Sequence, residues 1–241
     1  MVVADIKEIH PSEFAEIARD LYANGPWLMR NLMRYRIYIC PFERLVPIVP
    51  SGSSLLDIGC GAGLFLALLA GSLDEISATG FDTSDVAIKT AESMATRARA
   101  SGLAARLRFC RLDVAAPWPI GNFDVVSLID VMHHIPIAHQ HDVFCKAVET
   151  LQPGGLLLYK DMADHPFFYA LMNRLHDLVM ARQWIHYVPI RQIDSWAAAL
   201  KLQPVRAECA TRLWYRHDIR VYRKLLSHSE QGLIRILRKS H

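Results

Sequence analysis

The chain alternates between short runs that are apolar almost throughout and longer stretches where apolar residues recur at helical spacing. Residues 55–58, 76–81, 123–130 and 156–160 have the length and composition of buried strands, and 106–112 alternates Leu107, Phe109 and Leu112 as a further strand. Helices are expected between them. Residues 64–70 are apolar all round. Residues 85–100 carry a stripe of Val86, Ile88, Ala91, Met94, Ala95 and Ala98, and 139–151 place Val143, Phe144, Ala147, Val148 and Leu151 on one face. Strand and helix taking turns is the pattern of a parallel sheet covered on both faces. Two helices, 11–22 and 27–40, precede it, separated by Asn24-Gly25-Pro26. After it come an aromatic-rich segment (163–190) with helical spacing of Leu171, Leu175, Leu178 and Val179, a helix over 191–201, and two late strands, 204–211 and 219–226. A basic piece, 227–241, ends the chain.

The polar residues that interrupt this pattern collect where strands end. The run at 55–58 contains Asp57 and gives way to Gly59, Gly61 and Gly63 at every second position. Glycines so spaced let the backbone turn sharply and approach a ligand without Cβ interference, and the following helix directs unpaired N–H groups at the same place. The second strand ends in Asp82, 23 residues beyond Gly59, where α/β nucleotide sites put a carboxylate for ribose hydroxyls. Thr83 or Ser84 then caps the next helix. The third strand delivers Asp113-Val114, and the fourth delivers Asp130 followed by Val131-Met132-His133-His134. The dinucleotide fingerprint G-x-G-x-x-G is not met, because the third glycine comes one residue early and position 64 is Leu.

Asp57-x-Gly59-x-Gly61-x-Gly63 resembles the first motif of class I S-adenosylmethionine-dependent methyltransferases, of the small-molecule type with a ubiquinone/menaquinone-methyltransferase-like core. Asp82, Asp113 and Pro153-Gly154-Gly155 before the fifth strand match further motifs of that family in order. The resemblance implies an α/β fold: a Rossmann-like αβα sandwich around a seven-stranded, mostly parallel sheet whose last strand is antiparallel. It implies S-adenosyl-L-methionine as cofactor, held by Asp57, Gly59, Cys60, Gly61 and Gly63, by Asp82 and Thr83, by Asp113 and Val114, and by Asp130. In this reading Asp113 accepts a hydrogen bond from the adenine amino group while the Val114 backbone addresses a ring nitrogen. Residues 1–50 correspond to an N-terminal helical lid, 51–226 to the methyltransferase domain, 163–190 to a helical substrate insertion within it, and 227–241 to a tail. For the N-terminal helices, packing on the sheet edge is the alternative to a lid, and Arg34 or Tyr35 is the residue expected to reach cofactor or substrate. For the insertion, plain core or a dimer face is the alternative.

Methyl transfer needs alignment, desolvation and, for many acceptors, removal of a proton. Histidine is suited to that last task near neutral pH. His134 matches the position of the histidine that follows the fourth strand in small-molecule methyltransferases and is the first candidate for base or substrate-orienting group. His133 is second. The alternative for either ring is packing against the cofactor or capping the next helix. A metal site grouping His133, His134, His139, His141 and Asp142 is not expected, since His139 and His141, two apart on a helix, do not share a face. Cys60 sits in the glycine loop for its small size rather than as a nucleophile.

With 241 residues, 52% hydrophobic and 21% charged, the chain suits one α/β domain with appendages. A net charge of +3 does not argue for nucleic acid, and the fourth-strand motif is not the Asn/Asp-Pro-Pro-Tyr/Phe of base-amine methylation. Five scattered cysteines without C-x-x-C, and an acidic N-terminus without a long apolar run, point to a reduced, cytoplasmic location with no transmembrane segment. Peripheral membrane contact stays open. The partners expected are a small-molecule or lipid-like acceptor, with the chain a monomer or homodimer. Two other readings stand beside methyl transfer: a nicotinamide-dependent oxidoreductase, which leaves Asp113 unexplained, and a methyltransferase-fold binding or accessory protein without turnover.

Overall fold

The computed structural model describes residues 10–163, 186–213 and 215–226. Residues 164–185 of the segment expected to be a substrate insertion, and the basic tail, lie outside them. Seven strands form one sheet: β1 (Ser54–Ile58), β2 (Ile76–Asp82), β3 (Ala105–Arg111), β4 (Phe123–Ile129), β5 (Leu151–Met162), β6 (Leu202–Arg212) and β7 (Tyr215–Lys224). Their spatial order is β3-β2-β1-β4-β5-β7-β6. The first five run parallel, and β7 is antiparallel to both β5 and β6. The expected late antiparallel strand is therefore present, inserted between its neighbours. No helix among the described residues is long and apolar enough to cross a membrane.

The helices are α1 (Pro11–Leu21), α2 (Trp27–Ile39), α3 (Leu64–Ser72), α4 (Asp85–Ala100), α5 (Ile137–Glu149) and α6 (Ile190–Ala199). They divide the core into two layers. One joins α1 to α4 and the sheet face carrying Leu55, Val125 and Leu158, and the other joins α5, α6 and the face carrying Leu56, Val126 and Leu157. Alternate residues of one strand thus serve opposite layers, as the pleat requires. Helix α3 is apolar all round because it is covered on both sides, by the sheet and by α1. Ile17 of α1 comes so near that a Cβ on Gly71 would lie 2.7 Å from its Cγ2.

Several expected boundaries shift, each for a local reason. The fifth strand begins at Leu151, not 156. Leu151 already pairs with Phe123, and Gly154, at φ +83, carries an irregularity in register within the strand. Helix α5 starts at Ile137 because Pro136, at φ −53, sets the turn ahead of it. Val86 is 66% exposed and leaves the stripe of α4, which is made by Ile88, Ala91, Met94, Ala95 and Ala98. Ser84, not Thr83, caps that helix, its Oγ accepting from Ala87 N at 3.3 Å.

One buried ion pair joins the crest of the sheet. Lys160, on β5 and 1% exposed, donates to both carboxylate oxygens of Asp130 at 2.6 and 2.7 Å. Arg36 of α2 donates to Asp130 Oδ2 at 3.3 Å. Burial works against both charges, but Lys160 and Arg36 hold the Asp130 carboxyl below the ordinary carboxylate range, and Asp130 in turn raises the Lys160 ammonium. Removing one partner of a buried pair strands the other charge. Lys160→Met is therefore expected to destabilise the fold by about 3–5 kcal/mol in denaturant unfolding. Adding Asp130→Asn should recover part of that loss, and a Lys160→Met loss below about 1 kcal/mol would show that the pair is not buried as described.

Candidate cofactor and acceptor site

The carboxyl ends of β1, β2, β3 and β4 open onto a cavity of about 830 Å³, within the range of small-molecule sites. Asp57, Asp82, Asp113 and Asp130 all line it. So do Gly59, Cys60, Gly61, Thr83, Val114 and His134. Of the residues expected to hold the cofactor or to act as base, two do not line it. Gly63, at φ +78, starts α3 and packs beneath, where a Cβ would meet Phe109 and Met94 at 2.9–3.1 Å. His133 is buried behind the rim.

The glycine loop is shaped by close approach. A Cβ on Gly59, which has φ +67, would fall 2.3 Å from Val131 Cγ2, so no larger residue fits between β1 and the turn after β4. Cys60 N donates to Phe81 O at 3.0 Å, tying the loop to β2. From the other side Tyr22 of α1 donates its hydroxyl to Ala62 O at 2.7 Å. Gly61 faces open space, and its N–H donates to Asp82 Oδ2 at 2.9 Å. Asp82 Oδ1 accepts from Ser84 N at 2.8 Å. A carboxylate has about four acceptor positions, so Asp82 is fixed by two backbone donors and keeps capacity for a ligand's hydroxyls.

Asp57 is 3% exposed and accepts from Ser127 Oγ at 2.6 Å. Burial drives its carboxyl up from 3.8 to about 7, against the pull of the Ser127 bond. Burial, with Asp57 and Asp82 nearby, also pushes the Cys60 thiol up, away from the thiolate a nucleophile needs. Asp113 lies beyond the end of β3, its Oδ1 accepting from Ala115 N at 2.8 Å. The loop after it is pinned by Lys146 of α5, which donates to Ala116 O at 2.6 Å and stands 4.5 Å from the Trp118 ring. Trp118 Nε1 donates to Val114 O at 2.9 Å. Asp130 has left β4 and takes φ +54, a left-handed conformation rare outside glycine, with its side chain held by Lys160 and Arg36.

At the rim, His134 is exposed to the cavity and its ring packs on that of His133, centroids 4.1 Å apart. His133 Nδ1 lies 2.5 Å from Asp161 Oδ1. The five residues considered for a metal are not gathered: His133 turns to Asp161, while His141 packs on Trp196 at 5.3 Å.

Three charged residues in the cavity or directly behind it were not anticipated. Arg36, rather than Arg34 or Tyr35, is the N-terminal arginine that enters the cavity. Arg34 borders a separate, smaller hollow with Trp27 and Arg30, and Tyr35 is 39% exposed. Lys160 and Asp161 are the others, charged residues at the carboxyl end of an apolar strand.

Comparison with known proteins agrees with this geometry. A methyltransferase-domain family profile matches residues 30–207. The chain is 32% identical over 122 residues to 27-O-demethylrifamycin SV methyltransferase of Amycolatopsis mediterranei, covering 49% of this chain and 43% of that one. It is 32% identical over 161 residues to the ubiquinone biosynthesis O-methyltransferase of Caulobacter vibrioides, covering 65% and 57%. The chain thus spans about half the length of these curated relatives. Magnesium protoporphyrin IX methyltransferase of Synechocystis PCC 6803, solved with S-adenosylhomocysteine, shares the fold with a TM-score of 0.64 at 17% identity, over 87% of this chain and 93% of that one. The profile covers most of the chain, including the glycine loop and the strand-end acids, and the sheet has the seven strands with β7 reversed; the chain belongs to the class I S-adenosylmethionine-dependent methyltransferase family.

Proposed function

We propose that the chain binds S-adenosyl-L-methionine in this cavity and transfers its methyl group to a nucleophile, in the first instance a hydroxyl, of a small, partly apolar metabolite. The observation that carries the reading is the convergence of Asp57, Asp82, Asp113 and Asp130 on one glycine loop with His134 at the rim. The fit is chemical. Asp82 retains acceptor capacity for ribose hydroxyls, and Asp113 suits an exocyclic amine. Asp57 and Asp130 suit the cationic end of the cofactor, with Arg36 available to a carboxylate. When bound, the cofactor supplies an activated methyl group on a sulfonium.

The chain's own work is then to exclude water, align the acceptor and take its proton. Phe42 and Phe65, stacked with centroids 6.3 Å apart, give the cavity an apolar wall, which supports a partly apolar acceptor. His134 is assigned as the base or orienting group, with His133 behind it. The relatives named for oxygen methylation and for rifamycin methylation favour phenolic, quinol-type or polyketide-type acceptors. Lipid-like acceptors of similar polarity belong to the same class.

Incubation with methyl-labelled S-adenosylmethionine and a panel of such hydroxyl acceptors should move label to at least one of them. His134→Ala should slow that transfer by about 10²–10⁴-fold while leaving cofactor affinity within a few-fold. Cofactor binding with no transfer to any acceptor would instead favour a binding or accessory role.

The raised Asp57 carboxyl sets a sign for pH dependence. Below about 7 it is protonated in the ligand-free protein, and a bound cation favours its ionised form, so binding releases a proton. Affinity should rise by up to about tenfold per unit as pH increases toward 7 and level off above it. The same shift makes the ligand-free fold lose stability across that window, because the folded state there holds more protons than the unfolded chain. Titration calorimetry of Asp57→Asn should show the pH dependence flattened. An unchanged slope would assign the proton to another group.

A further inference from the structure

Behind the pocket rim, the two histidines meet an acid that the motif does not mark. Asp161 is the penultimate residue of β5 and 2% exposed. Its Oδ1 accepts from Met162 N at 2.8 Å and lies 2.5 Å from His133 Nδ1, while its Oδ2 has no hydrogen-bond partner among the described residues. Across the strand pair, Asp161 stands in register with Asp218 of β7, itself 7% exposed and accepting from the Cys209 thiol. Two carboxylates are therefore buried side by side. A buried carboxylate is costly unless a partner of opposite or inducible charge accompanies it, and the one in contact with Asp161 is an imidazole.

That contact fixes a tautomer. An ionised carboxylate only accepts, so against it His133 is the donor, from Nδ1. The His133 ring packs on His134 at 4.1 Å and on Tyr187 at 5.5 Å, and only His134 of the three lines the cavity. Positive charge arriving at His134 thus develops against a ring that is backed by a buried anion. In so dry a setting the anion acts with little screening from solvent.

We propose that Asp161 is a positioning residue for proton removal: its carboxylate holds His133 and stabilises the positive charge that the stacked His133–His134 pair takes up when the acceptor's hydroxyl is deprotonated. The inference rests on the hydroxyl-methylation reading above and narrows the acceptor class to neutral hydroxyls, since an oxygen already ionised needs no such device. In the step, the O–H bond breaks and His134 keeps the proton. The freed oxygen pair forms the bond to the methyl carbon, and the carbon–sulfur pair stays on sulfur. The positive charge that began on the sulfonium ends on the imidazole pair, from which the proton later leaves to water.

The test compares two acceptors of one scaffold, catechol and 4-nitrocatechol, the second being ionised at neutral pH. Asp161→Asn should bind S-adenosylhomocysteine within about twofold of the unaltered protein, because Asp161 does not line the cavity. Its kcat on catechol should fall by about 100-fold and on the nitro compound by less than about threefold. If Asp161→Asn loses S-adenosylhomocysteine binding, His133→Asn carries the test with the same acceptor-selective loss expected. Equal losses on both acceptors, or none on either, with binding retained would overturn the inference alone and make Asp161 structural. Failure of the unaltered protein to methylate either acceptor would overturn the hydroxyl reading and this inference together.

Discussion

A buried positive charge under an open sheet edge is the constraint on which the site depends. Lys160 is enclosed on β5, and the Asp130 carboxylate, turned toward it by a left-handed backbone, makes that enclosure tolerable. The same carboxylate receives Arg36 from α2. One contact therefore joins three parts of the chain that are distant in sequence: the end of β4, the end of β5 and the N-terminal helices. His217 of β7 adds a second tie to α2, its Nε2 lying 2.7 Å from Ile39 O. The N-terminal segment is in this way built into the cavity by polar contacts as well as by the packing of α1 on α3.

The remainder of the cavity follows from sheet topology. Parallel strands share one carboxyl edge, and residues just past that edge meet whatever their order in the chain. Four acids on four strand ends converge by this rule. Local backbone donors then aim them: Gly61 and Ser84 on Asp82, and Ala115 on Asp113. Asp57 accepts instead from the Ser127 hydroxyl, in a place dry enough for burial to push its carboxyl up.

Much of this was legible in the sequence, because strand runs and their terminal acids are local signals. Asp57 interrupts an apolar run, Asp82, Asp113 and Asp130 each close or follow one, and all four line the cavity. The same signal marks Lys160 and Asp161 at the end of Leu156-Leu157-Leu158-Tyr159. Arg36 had a weaker signal: it lies three residues after Met33 and one before Ile37, both buried, which puts it on the inner face of α2. The distinction between His134 at the rim and His133 behind it was not legible. It depends on a three-residue 3-10 turn, Met132–His134, and on a partner 28 residues away. The start of β5 was likewise hidden, because Pro153-Gly154-Gly155 reads as a turn and only pairing with Phe123 keeps it in the strand.

The central claim is that the glycine loop and its acids form a site for a sulfonium nucleoside and not for a dinucleotide. Thermal unfolding with S-adenosylmethionine, S-adenosylhomocysteine, NAD and NADP titrated separately tests it most directly. A ligand at 100 times its dissociation constant adds about 2.7 kcal/mol to the folded state, which for a domain of this size raises Tm by roughly 5–10 °C. The account predicts that rise for the two sulfur nucleosides and none for the dinucleotides. A rise with NAD or NADP alone would contradict it and leave Asp113 and His134 without the roles assigned to them.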